Sequence, residues 1–216
     1  MTFEFTKLNI FKMKKVILTA FTLILVINSG CSNEESDTIE IVETTLTQDE
    51  IGDLRFLREE EKLARDIYLY SFEKYGNAIF NNISQSEQQH MDSVLTLLNK
   101  YNIDDPVQSE RGVFSNQILQ GLYNDLIAQS EESLIGALTV GALIEDLDIS
   151  DLELNEARTT KTDLLDVYSK LKCGSRNHLR NYISQLMLKG ENYVPQYISL
   201  AEFNEIISSA NEICGW

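Results

Sequence analysis

From Thr47 onward, apolar residues recur every three to four positions along most of the 216-residue chain. That is the repeat of helices buried along one side. No run of alternating β-branched residues is long enough to make a strand. The first predicted helix opens at a capping box, Thr47-Gln48-Asp49-Glu50, and stops at Gly76. A second runs from position 81 or 84 to Tyr101, and a long connection over 103–116 leads to a short helix near 117–129. A fourth spans Ser133 to Leu147, with an irregular or helical extension to Ala157; a fifth spans 162–189 and is closed by Gly190. The last begins at a second capping box, Ser199 to Glu202. Both prolines, Pro106 and Pro195, fall in these breaks. A tight turn, a long crossover and a second close pair of long helices is one way to build a four-helix bundle. The expectation is therefore an all-α bundle, its first and third long helices parallel, with a short C-terminal helix.

Polar residues interrupt the buried stripes at matching heights. In the second helix the stripe is Phe80, Ile83, Glu87, His90, Met91, Val94, Leu98 and Tyr101, with Glu87 and His90 in its middle. Three residues apart, these two project from one turn toward one point. The fifth helix has Leu164, Tyr168, Leu171, Ser175, His178, Leu179, Tyr182 and Leu186. The chain has only two histidines, and both take inner positions on helices that should share a core. In the first helix Glu61 aligns with Leu57, Ala64 and Tyr68, and Glu60 with Phe56, Leu63 and Ile67, so either can turn inward. Glu145 aligns with Leu138 and Ala142, whereas Asp66, Asp146 and Asp148 lie off the stripes and read as solvated charge.

A carboxylate buried alone is costly unless it meets a cation or donors. Glu87 and His90, with His178 opposite, therefore read as metal ligands, with Glu61 or Glu60 and Glu145 as the further candidate carboxylates, the alternative being buried polar pairs hydrogen-bonded between helices. Glu61 stands fifteen residues before Gly76 and Glu87 eleven after it. At 1.5 Å per residue that is an axial offset of about 6 Å, which a direct pairing of the two would have to absorb.

Two segments carry a resemblance. "EKLARDIY" (61–68) resembles the first-helix motif of rubrerythrin-type proteins, and "EQQH" (87–90) resembles the ExxH motif of the ferritin-like superfamily. The chain over 47–208 also resembles an uncharacterised bacterial and archaeal branch of that superfamily, in "SRNHLR" (175–180) and "GALIEDLDI" (141–149). The resemblance implies a ferritin-like four-helix bundle holding one or two iron ions, with manganese or zinc as alternatives. It implies oxidation of ferrous iron, or reduction of oxygen or peroxide. The departure is at Ser175-Arg176-Asn177-His178, where the family carries a second ExxH, so one carboxylate is missing. The alternative function is a structural or partner-binding bundle with a degenerate, non-redox site.

The ends change the picture of location. Lys12, Lys14 and Lys15 precede an uncharged run from Val16 to Ile27. As helix that run would span about 18 Å, short of a hydrocarbon core about 30 Å thick. Residues 1–30 therefore read as a secretion signal, with 1–12 an upstream extension before Met13. Ser29-Gly30-Cys31-Ser32 resembles a lipoprotein cleavage site that would leave Cys31 lipidated, the alternative being an ordinary secretory signal. Residues 31–46 would then be an acidic tether and 47–216 the helical domain. This predicts an envelope protein, lipid-anchored at the periplasmic or cell-surface face of the outer membrane.

Cys173 and Cys214 show no metal-binding spacing and are candidates for a disulfide in such a compartment. The formal charge is −16 for the whole chain, and about −19 once the four lysines and one glutamate of residues 1–30 are removed. Such a surface disfavours nucleic acid and anionic lipid and concentrates cations. A homodimer is compatible with this organisation; a closed cage would be crowded by a lipid tether on every subunit.

Overall fold

The computed structural model describes residues 45–215; the secretion signal, Cys31 and most of the tether lie outside them. Among the described residues the chain forms six α-helices and no strand. They are α1 (Gln48–Tyr75), α2 (Ala78–Lys100), α3 (Gln117–Glu132), α4 (Leu134–Glu156), α5 (Thr162–Met187) and α6 (Leu200–Ser208). None of them is long and apolar enough to cross a membrane.

The helix ends follow from local chemistry. Thr47 Oγ1 accepts from the Glu50 N–H at 3.2 Å while Glu50 Oε2 accepts from the Thr47 N–H at 2.7 Å, closing the capping box. Gly76 ends α1 at φ 64°, a left-handed conformation that suits glycine, and its N–H donates to the Phe72 carbonyl. α2 starts earlier than expected because Asn77 Oδ1 accepts from the Ile79 N–H at 3.2 Å and caps it. Ser133 alone separates α3 from α4, and its hydroxyl accepts from the Gly136 N–H at 2.9 Å. α4 then runs unbroken past Leu147, because Asp148, Ile149, Leu152 and Asn155 all stay buried.

Side-chain contacts fix the helix directions. Glu61 meets His90 at 3.2 Å and Arg65 meets Gln88 at 2.6 Å, so α1 and α2 are antiparallel. Tyr68 meets Glu145 at 2.5 Å, whereas Glu50 meets Thr159 at 2.6 Å and Asp53 meets Arg158 at 2.7 Å. α1 and α4 are therefore antiparallel as well, and the parallel pairing expected from sequence is overturned. The reason is the crossover. The connection after α2, together with α3, travels along α1 before α4 turns back.

Three anchors hold that crossover: Arg58 pairs with Asp105 at 2.9 Å, Lys62 Nζ donates to the Glu110 carbonyl at 2.9 Å, and Tyr75 Oη donates to the Ser130 carbonyl at 2.7 Å. The crossover covers Glu59 and Lys62 on the outer side of α1 while Glu60 and Glu61 turn inward, so the whole charge run Glu59 to Lys62 is no more than 3 % exposed. Asp66, expected in solvent, is fully buried and accepts from Lys62 Nζ at 2.7 Å and the Gly112 N–H at 2.9 Å. Asp146 is likewise buried and binds the segment before α6, accepting from Tyr193 Oη at 2.7 Å and the Ile198 N–H at 2.9 Å.

The apolar core is divided. One cluster includes Ala64, Tyr68, Phe80, Ile83, Ala142, Leu179 and Tyr182. The other includes Leu54, Leu57, Val94, Leu98, Leu152, Tyr168 and Leu171. Between the two clusters lie buried polar residues, Glu61 on α1, Glu87 with His90 on α2, and Ser175 with His178 on α5, and α4 adds Glu145 and Asp148. The layer between the clusters is the candidate site.

Candidate metal centre

Glu87 is the hub of this layer. Its Oε2 lies 2.8 Å from His90 Nδ1, one turn along α2, and its Oε1 lies 2.9 Å from His178 Nδ1 on α5. Glu61 Oε2 approaches His90 Nδ1 at 3.2 Å and Glu145 Oε2 approaches His178 Nδ1 at 3.3 Å. Two trios result, Glu61–Glu87–His90 and Glu87–Glu145–His178, each with one donor atom per residue within 4.8 Å of the others. All five side chains are buried. The structure thus brings together every residue proposed from sequence as a ligand. Glu61 faces His90, fourteen residues after Gly76, which removes the axial offset expected between Glu61 and Glu87.

Nearby groups hold the donors in place. Tyr68 Oη donates to Glu145 Oε1 at 2.5 Å. The other nitrogen of His178, Nε2, lies 3.0 Å from Ser86 Oγ. Gly174 leaves room for the His90 ring, since a Cβ there would stand 2.5 Å from His90 Nε2. Gly141 does the same for Tyr182, whose ring a Cβ would meet at 2.4 Å.

Ser175, at the position of the missing carboxylate, donates to Asp148 Oδ2 and to the Leu171 carbonyl. Asp148 is therefore not the surface charge the stripe reading made it: it is 6 % exposed, and its Oδ1 has no hydrogen-bond partner. The available signal was its spacing, because Asp148 follows Glu145 by three residues and so shares its turn. Glu60 is buried beside this group too, turned toward α4.

Negative charge dominates the layer. Burial pushes the Glu61 carboxyl well above its ordinary range, and the neighbouring Asp148 charge adds to the effect. Burial and the Glu87 charge raise Glu145, while burial and the Glu145 charge push Asp148 up to about 7. Burial opposes the charged form of Glu87 as well, but His178 and His90 outweigh it and hold that carboxyl below its usual range. For His178, burial favours the neutral ring and the charges of Glu87 and Glu145 win, raising it to about 10. His90 is raised in the same way by Glu61 and Glu87.

The basic side chains nearest in sequence turn elsewhere. Lys62 and Arg65 bind Asp66, and Arg176 binds Glu212. The charge of the layer is therefore balanced from within, by protons on the two imidazoles and on the raised carboxyls or by cations in their place. Three carboxylates with two imidazoles suit iron, manganese or zinc, and Glu61 Oε1, buried without a hydrogen-bond partner, leaves lone pairs for such an ion.

Cys173, beside Gly174, is bonded to Cys214, with Cα atoms 5.5 Å apart. Arg176 and Arg180 also hold Glu212, so the C-terminal segment is fastened across α5 next to the layer.

Known proteins extend this picture. The protein MJ0754 of Methanocaldococcus jannaschii, described as uncharacterized, is 50 % identical over 168 residues, covering 77 % of this chain and 91 % of its own length. A crystal structure of hypothetical protein MJ0754 from Methanococcus jannaschii is similar at a TM-score of 0.77 and 46 % identity, covering 85 % of this chain and 100 % of that one. Residues 50–210 match the family described as Uncharacterized protein domain (DUF2202), and the match takes in every residue of the buried layer. The chain belongs to the DUF2202 family.

Proposed function

We propose that this protein is a ferritin-like four-helix-bundle metal protein that holds two metal ions, iron first among them, on either side of Glu87. The observation that carries the reading is the shared carboxylate: each Glu87 oxygen faces a different histidine nitrogen, and a carboxylate from another helix completes each trio. Glu61, Glu87 and His90 would hold one ion, and Glu87, Glu145 and His178 the other. The order of helix directions supports the ferritin-like reading. α1 opposes both α2 and α4, as a crossover running the length of the bundle requires.

Iron held by these donors would supply redox chemistry toward oxygen or peroxide, or be oxidised itself as substrate. The chain's own contribution is to exclude water, keep donors without lysine or arginine competitors, and orient Glu145 through the Tyr68 hydroxyl. The disulfide supports an oxidising location, which agrees with a lipid-anchored envelope protein.

A second reading rests on Ser175: with a hydroxyl where a carboxylate is expected, the site binds metal without turnover, as part of a structural or partner-binding bundle. Anaerobic loading of the purified protein with ferrous iron, followed by air, separates the two. Two irons per chain and a new oxo-iron absorption support the first reading. Bound metal with no spectral change in air favours the second, and no bound metal contradicts both.

A further inference from the structure

The proposed metal layer does not use one buried acid. Glu60 is 3 % exposed, and neither of its oxygens accepts a hydrogen bond from any amine, amide or alcohol. Its polar neighbours are carboxyls: Asp151 of α4, with which it shares a hydrogen bond, Asp148 of α4, and Glu61 beside it on α1. A buried carboxyl facing other carboxyls is unfavourable for the fold, and an apolar side chain would fill the place at lower cost. The three neighbours are also ordered in depth. Asp151 is half-buried, Asp148 is 6 % exposed, and Glu61 at 1 % exposure belongs to the metal trio with His90.

Asp148, in the layer, is anchored by one oxygen to Ser175, its Oδ1 is buried without a hydrogen-bond partner, and its charge acts on both Glu60 and Glu61. At the outer end, Tyr197, in the segment that Asp146 ties down, lies close enough to Asp151 and Glu60 for their charges to act on its hydroxyl. Tyr197 is itself 38 % exposed, so this end of the row borders solvent.

We propose that Asp151, Glu60 and Asp148 form an entry route for divalent cations, leading between α1 and α4 from the Tyr197 surface to the Glu61–His90 half of the centre. The inference rests on the proposed metal layer and adds a second, transient site whose ligand is a hard divalent ion such as ferrous iron. Successive carboxylates lower the cost of moving a stripped cation through the protein, and their charge raises its local concentration at the mouth. Glu60 is a conduit residue here and Glu61 a ligand, which gives the two adjacent acids of α1 separate tasks.

Cobalt(II) is the probe, since it binds such donors and reports its ligation by visible absorbance. Uptake would be followed by stopped flow in the full chain, in Glu60→Gln and in Asp151→Asn. The expected result is unchanged stoichiometry at equilibrium in both variants, with entry slowed about tenfold or more. Unchanged entry rates in both would overturn the route. So would the loss of a bound cobalt in folded Glu60→Gln, because Glu60 would then be a ligand. Asp151→Asn lies nearer the surface and still tests the route where Glu60→Gln fails to fold. If the unmodified protein takes up no cobalt at all, the metal layer itself fails, an outcome distinct from slow or unchanged entry.

Discussion

His90 and His178, the chain's two histidines, lie with ring centroids 5.5 Å apart and ring planes 26° from parallel. Such closeness of two groups, each raised toward its charged form, needs negative charge between them, and Glu87 supplies it to both. Glu87→Gln keeps the shape and removes the charge that both trios share. The expected outcome is loss of both bound metals, measured by elemental analysis. His178→Ala should remove one and leave the ion held by Glu61, Glu87 and His90. Equal losses in the two variants would contradict a shared carboxylate.

Gly174 tests the packing behind the site. A Cβ there would lie 2.5 Å from His90 Nε2, and the ring, fully buried, has little room to retreat. Gly174→Ala should cost about 1–3 kcal/mol of stability through overpacking. Metal affinity should fall by about tenfold or more, as when a partner that orients a ligand is lost. Calorimetry of the metal-free and loaded protein reads both. Wild-type affinity would mean that His90 does not need its present position.

The pH dependence follows from the histidines. His178 is raised to about 10 in the folded chain, above an unfolded value of about 6.5. The stability this contributes is fully present below the unfolded value and is lost as pH rises through the folded one. Glu61 and Glu145, whose carboxyls are also raised, act in the same direction, because the folded state holds their protons longer. Metal-free protein should therefore melt at progressively lower temperature from near neutral pH to pH 10. Added metal should stabilise more over the same interval, since binding displaces these protons. Thermal melts at fixed metal concentration check both trends. A metal-free melting temperature that is flat or rising would contradict them.

Much of the fold was legible because caps and apolar periodicity are local. Thr47, Gly76 and Ser199 marked ends that the structure keeps. The inward stripe positions of Glu87, His90 and His178 were visible because apolar neighbours flank them on the same helix. Asp66, Asp146 and Asp148 were misread because what buries them comes from distant chain: the crossover, the segment before α6, and Ser175. Periodicity counts apolar residues as inside and has no means of seeing a carboxylate that will later receive backbone N–H groups. The antiparallel pairing of α1 and α4 was hidden for a related reason. It depends on where the crossover lies in space, and no local pattern encodes that.

The disulfide closes a sequence separation of 41 residues, and the entropy of such a loop corresponds to about 4 kcal/mol. Reduction, or Cys214→Ser, should lower the melting temperature and release the segment that Glu212 fastens to Arg176 and Arg180. Metal stoichiometry should persist, since no donor of either trio lies in that segment. Differential scanning calorimetry with metal analysis, with and without reductant, decides this. Loss of metal on reduction would place the C-terminal segment in the site's support.

The most direct test of the central account is anomalous diffraction from crystals of the protein grown with manganese(II). The account predicts two anomalous peaks per chain, one on each side of the Glu87 carboxylate, the first near Glu61 and His90 and the second near Glu145 and His178. Absence of any peak in this layer, with ordered side chains and saturating metal, would contradict it, and the five residues would then be a buried hydrogen-bonded network.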